Sequence, residues 1–184
     1  TIVITARASY SRIKTLLTAV KNSKKLKLSI VVGGSALLSK FGKTNEQIER
    51  DGFKIDAIAN YSLDGETPET TAKSTGMAIV ELSSVFRALK PDLIVTVADR
   101  FETLATATAA SFMNIPLAHI QGGEISGNID EKVRHAVTKL SDLHFTASNE
   151  SYNRVIQMGE IPSSVFNTGS VSYTHLTLPT IYSV

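Results

Sequence analysis

The chain has 184 residues, 42% of them hydrophobic, a net charge of +2 and no cysteine. That length and apolar content suffice for one buried α/β core, and so small a charge argues against nucleic acid or an anionic membrane surface as partner. The missing cysteines exclude a disulfide framework and thiolate metal sites and fit a reducing cytoplasm, and no apolar run approaches membrane-spanning length.

The chain opens on Ile2-Val3-Ile4, with neither a signal-peptide pattern nor an initiator methionine, so natural residues are expected to precede it. Short β-branched runs then alternate with stretches of helical period, the form of repeated βα units around a parallel sheet covered on both faces. The pattern predicts strands over 2–4, 28–32, 55–58, 93–97, 115–120, 144–146 and 165–167. Lys24, Lys25 and Lys27 read as a solvated helix-to-strand corner. Thr67-Pro68 reads as an N-cap followed by proline at the first helical position; Ile79, Leu82, Phe86 and Leu89 form its stripe, and Lys90-Pro91 ends it. A later helix starts at Asn128 with Glu131 in capping-box spacing, and its expected buried face is Ile129, Val133, Ala136, Val137 and Leu140. No internal repeat or low-complexity linker interrupts the series.

Ligands of open parallel sheets bind outside the carboxyl ends of the strands, where loops and helix amino ends converge. The unusual residues follow that rule four times: Arg7, Ser9 and Ser11; Gly33-Gly34-Ser35; Asp99-Arg100; and the stretch HIQGGEISGNIDEKVRH over 119–135. Each has a plainer reading. Gly33-Gly34 serves equally as a tight turn, since neither a dinucleotide fingerprint nor a phosphate loop is present. Ser11 reads equally as a helix start and Asp99 as the cap of a helix near Phe101, whereas Arg7 offers a fork of donors to an anion. In the long stretch, Gly122-Gly123 allow close backbone approach to a ligand, and Glu124, Asp130 and Glu131 supply carboxylates for acid–base work. Asp130 and Glu131 also suit the first turn of a helix, and Asp130 and Arg134 have the spacing of a surface ion pair. His119 and His135 lack metal-pair spacing, and each reads as a hydrogen-bonded structural histidine, so no metal is expected.

Together, VADRFETLA, HIQGGEISGNIDEKVRHAVTKLSDLHF and RVIQMGEIPSSVFNTG resemble the UDP-N-acetylglucosamine 2-epimerases, most closely the hydrolysing branch that feeds sialic-acid-type sugar synthesis. TARASYSRIKTLL and GGSALLSKFGKT match the first two βα units, so the likeness covers residues 1–169 in order. It implies a Rossmann-like parallel sheet with helices on both faces, the amino-terminal half of a two-domain GT-B-type fold. It further implies elimination of UDP across sugar C1 and C2, a glycal intermediate, and addition of water, with no redox cofactor. By the resemblance, Asp99 and Asp130 match the acid/base carboxylates, and Arg7, Ser11 and Arg100 match residues that hold UDP. Arg134 matches a sugar-side contact, while Gln121, Gly122, Gly123 and Glu124 occupy the family's strand-end motif, in which Glu124 serves structure or catalysis. A UDP-sugar is the implied partner, and the full-length protein is implied to be a homo-oligomer.

The chain departs from the family pattern where Gln121 replaces a third catalytic carboxylate and where Ser9 replaces an acidic residue. An amide cannot exchange a proton as a carboxylate does, so either the other carboxylates suffice or the substrate is a 2,4-diacetamido sugar. The non-hydrolysing branch is disfavoured, because it carries an E-A-G-L-R pattern where this chain reads QGGE. The segment VSYTHLTLPT over 171–180 resembles a translated sequencing adaptor and breaks the βα pattern after Asn167-Thr168-Gly169. Residues 170–184 are therefore expected to be non-native and the carboxyl-terminal domain, with its histidine, to be missing. On that view the chain alone is an inactive fragment, or a UDP-sugar-binding module without catalysis.

Overall fold

The computed structural model describes residues 1–39, 42–65 and 67–169; the expected non-native tail lies outside the described residues. Seven parallel strands form one sheet: β1 (Ile2–Ile4), β2 (Ile30–Gly33), β3 (Ala57–Ala59), β4 (Ile94–Val97), β5 (Leu117–Ile120), β6 (Leu143–Thr146) and β7 (Val165–Asn167). Their spatial order is β3-β2-β1-β4-β5-β6-β7, so the chain winds outward from β1 and then restarts beside it at β4. Among the described residues six α-helices lie between them: α1 (Arg7–Asn22), α2 (Thr44–Arg50), α3 (Pro68–Leu89), α4 (Phe101–Phe112), α5 (Ile129–Lys139) and α6 (Asn149–Gln157).

Strand alternation divides the apolar residues between two cores. Ile2, Ile4, Ile30 and Val32 join Ile13 and Leu17 of α1 and Ile48 of α2, whereas Val3, Val31, Ile94 and Leu117 join Leu82 and Phe86 of α3 and Val137 of α5. Both faces of the sheet centre are thereby buried, as parallel sheets require. All seven expected strands form: β1 and β7 keep their expected bounds, β4 and β5 are trimmed, β2 and β3 start two residues later and end one later, and β6 gains Leu143. β5 begins at Leu117 rather than at residue 115 because Pro116 has no N–H to donate; its carbonyl accepts from Ile94 instead.

Helix ends follow their sequence signals. Thr67 accepts from the Thr70 N–H while the Thr70 hydroxyl accepts from the Thr67 N–H, a complete capping box ahead of Pro68, and Lys90 closes α3 in the left-handed conformation. Asn128 caps α5 by accepting from the Asp130 N–H. Glu131 does not complete the expected box: its carboxylate accepts from the Ser126 and Gly127 N–H groups, one turn earlier. The buried face of α5 is also rotated from expectation. Val133 and Val137 are buried, but so are Arg134 and Thr138, while Ile129 and Leu140 are 67% and 37% exposed. Among the described residues no helix is long and apolar enough to cross a membrane.

Beyond β1, no helix among the described residues covers the face that α1 and α2 cover elsewhere. Val95, Ala118, Ile120 and Phe145 floor a groove of about 1070 Å³ walled by α1, and Phe145 stacks on Phe166 at 5.4 Å between ring centroids.

Candidate functional site

Order reversal between β1 and β4 opens a crevice at the carboxyl edge of the sheet, and the residues that follow β1, β4 and β5 converge on it. Ala98 and Gln121, first after β4 and β5, both have positive φ, 67° and 64°. Non-glycine residues adopt that region where their surroundings impose it, and such strain concentrates at functional sites. Backbone bonds impose it here: the Ala98 N–H donates to Ile120 O and the Gln121 N–H to Phe145 O.

Asp99, next in line, does not cap α4, whose N-cap is Arg100 without a side-chain bond. The Asp99 carboxylate accepts instead from Nη2 of Arg134, thirty-five residues away. Nη1 of the same guanidinium donates to Glu124 O at 2.7 Å, so one arginine ties the ends of β4 and β5 to α5. Arg134 is therefore no surface residue; it is 5% exposed. Asp130 stands half-buried in the first turn of α5, and Glu124 is half-buried with Oε1 lacking a hydrogen-bond partner. Burial raises the Glu124 carboxyl above its usual range, against the lowering field of Arg12.

Gln121 is 6% exposed, and its Oε1 accepts from Nη1 of Arg12 at 2.8 Å. Gly122 and Gly123 are buried, and protein atoms fill the space beside them: a Cβ would come within 2.9 Å of Thr138 Oγ1 at Gly122 and 2.4 Å of Ser151 O at Gly123. The close approach expected at these glycines is thus made by the chain itself. Arg154 of α6 also donates to Gly123 O.

At the other side of the crevice Arg7 begins α1, exposed, and Ser11 lies within the helix rather than at its start, its hydroxyl donating to Ala8 O. Ser9 is buried. Gly34 has φ 58°, which a turn glycine supplies, and both Gly33 and Gly34 pack against Tyr61. Arg100 is half-exposed, and its Nε donates to Glu102 at 3.1 Å. Burial of Glu102, 1% exposed, raises its carboxyl despite Arg100.

Thus Asp99, Arg134 and the Glu124 backbone form one network, Gln121 a second with Arg12, and Arg100 a third with Glu102. Arg12, Glu102, Thr138 and Arg154 were missed in the sequence. Arg12 and Arg154 lie inside helices where an arginine carries no motif, and Glu102 follows the rim pair Asp99-Arg100 at a helix start, where a carboxylate has an ordinary reason to be.

Comparison with known proteins agrees with this architecture. The chain is 38% identical over 164 residues to the UDP-N,N'-diacetylbacillosamine 2-epimerase (hydrolyzing) of Legionella pneumophila, and 37% identical over 174 residues to the GDP/UDP-N,N'-diacetylbacillosamine 2-epimerase (hydrolyzing) of Campylobacter jejuni. These alignments include 89% and 94% of this chain but 44% and 45% of the relatives, so the chain spans less than half their length. The crystal structure of UDP-GlcNAc 2-epimerase from Neisseria meningitidis bound to UDP-GlcNAc shares the fold, with a TM-score of 0.81 at 20% identity, over 96% of this chain and 50% of that one. The family model for UDP-N-acetylglucosamine 2-epimerase matches residues 18–183, and the chain belongs to that family.

Proposed function

We propose that this chain is the amino-terminal domain, residues 1–169, of a cytoplasmic, homo-oligomeric hydrolysing UDP-N-acetylglucosamine 2-epimerase, with a non-native tail replacing its second domain. The single observation that carries the reading is the Asp99–Arg134 ion pair, set at the strand-order switch and tied through the same guanidinium to the backbone carbonyl of Glu124. Elimination of UDP across C1 and C2 needs one group to take the C2 proton and another to protonate the leaving phosphate. Asp99 and Asp130 divide that work, and Glu124, whose carboxyl burial holds protonated to higher pH than a free glutamate, is the third candidate. Arg7 and Arg100 offer guanidinium forks to the diphosphate, with Ser11 one turn along α1 from Arg7; Gln121 acts by holding Arg12 and not as an acid or base. Water adds to the glycal, releasing UDP and the free 2-epimeric sugar.

A second substrate, UDP-N,N'-diacetylbacillosamine, is favoured by the names of the two relatives at 38% and 37% identity. The test is to restore the natural reading frame beyond Gly169, supply each UDP-sugar, and identify the products. UDP with a free 2-epimeric sugar supports the proposal and selects the substrate. A sugar still attached to UDP assigns the protein to the non-hydrolysing branch, and no turnover of either substrate overturns the reading.

A further inference from the structure

His119 is fully buried in β5, and both of its ring nitrogens face polar partners. Its Nε2 lies 2.8 Å from the carbonyl oxygen of Ala98, and its Nδ1 lies 3.2 Å from the hydroxyl of Thr138. A carbonyl can only accept, so Nε2 carries a proton and donates; in the neutral ring Nδ1 then accepts from Thr138. The Thr138 hydroxyl is also 3.0 Å from Arg134 O, and its single proton is shared between these two acceptors. A chain of contacts therefore runs from Ala98 through His119 and Thr138 to Arg134. It joins the same two segments that the ion pair joins.

Two further features fit this brace. Ala98, at φ 67°, is the residue whose backbone direction decides where Asp99 emerges, and its carbonyl is the one His119 holds. Gly122 has no room for a side chain because a Cβ would stand 2.9 Å from Thr138 Oγ1 and 3.0 Å from His119 Nδ1. The glycine thus clears the space in which the histidine and threonine meet.

We infer that His119 is a positioning residue: its Nε2–H fixes the Ala98 carbonyl and so aims Asp99, while Thr138 ties the same ring to the turn of α5 that carries Arg134. His119 reaches no substrate. The kinetic consequence rests on the proposed epimerase activity, but the positioning itself does not.

The test uses His119→Leu, which removes the donor, and His119→Gln, which keeps an N–H near the position of Nε2. Imidazole 15N shifts of the chain should show His119 as the Nε2–H tautomer, and the Asp99 carboxyl 13C signal should move in His119→Leu and return in His119→Gln. A Nδ1–H tautomer, or an Asp99 signal unmoved by His119→Leu, overturns the inference. Should His119→Leu fail to fold, Thr138→Val serves: it keeps the Ala98 bond and should shift the Arg134 guanidinium signals while leaving Asp99 close to its original value, and unmoved Arg134 signals count against the brace. In the restored full-length protein, misplacing a reacting group by about 1 Å costs on the order of a hundredfold in rate, so kcat should fall by about that factor in His119→Leu, with KM within about threefold and most activity kept by His119→Gln. Equal losses in kcat for both variants would reduce His119 to a packing role. If the unaltered protein releases no UDP, the epimerase reading fails while the 15N and 13C signals still decide the positioning.

Discussion

At the scale of single residues, the Asp99–Arg134 pair sets the largest expectation. Removing one partner of a buried pair leaves the other charge uncompensated, at a cost of about 3–5 kcal/mol. Arg134→Met should therefore lower unfolding stability by that order, and Asp99→Asn added to it should restore much of the loss; urea titration of the single and double variants checks both. His119 sets a second expectation, in pH. Burial first, and then the neighbouring charges of His144 and His135, hold its pKa down from 6.5 to about 4, against the raising effect of its bond to Ala98. A base depressed in the folded state stabilises the fold above its unfolded value, and that contribution is lost as pH falls from 6.5 toward 4. The linked free energy is about 3 kcal/mol, and the stability slope in this window should shrink in His119→Gln. Glu102 has the opposite sign. Its raised carboxyl stabilises the fold at pH below the unfolded glutamate value, and the contribution disappears as pH rises through the folded value. Part of this was legible in the sequence. Asp99 and Glu124 follow strand ends as the sequence reads, and His119 is a hydrogen-bonded histidine as expected, whereas Arg134 pairs with Asp99 rather than with Asp130 on the surface. The partners were not legible, because a contact between residues 99 and 134 depends on how two loops leave adjacent strands, and no local pattern encodes that.

Among the elements, the strands were more legible than the helix faces for a definite reason. A parallel strand buried on both sides needs only an apolar run, whereas α5 must turn Arg134 and Thr138 inward to meet Asp99 and His119, and so its apolar stripe no longer marks its buried face. α3 shows the contrary case, with cap, stripe and stop all as the sequence reads. Thr67→Ala removes its capping box and should cost about 1 kcal/mol, measurable by thermal or urea unfolding. The turn after β5, which packs against α6, is less forgiving. Gly123 has φ 80°, and a Cβ there would lie 2.4 Å from Ser151 O, a backbone atom that cannot rotate away. Gly123→Ala should cost about 1–3 kcal/mol from overpacking alone, and should weaken hydrogen-exchange protection at the start of α6 before it does so in α3.

For the whole molecule, the open side of the sheet is the dominant feature. Val95, Ile120 and Phe145 are only partly buried and Phe166 is exposed, and apolar surface of this kind promotes association. Sedimentation velocity on the chain should show concentration-dependent association, and Phe166→Ser, at a site already 43% exposed, should reduce it; a single monomeric boundary at all concentrations would count against this expectation.

The central pairing also governs how the molecule can be made. Ile2 lies beside Val95, and the Thr1 nitrogen donates to Leu93 O at 2.7 Å, so the middle of the sheet joins residues more than ninety positions apart. Non-local closure of that kind carries a loop entropy that must be met before its contacts are gained, and it slows folding. On a ribosome the first three βα units emerge with one flank of β1 unpaired, and the crevice beside Asp99 cannot exist until β4 has followed. Pairing β1 with β4 opens the crevice, but Glu124 and Arg134 arrive only with β5 and α5, so a variant that pairs the two central strands has the cleft before it has the network that lines it.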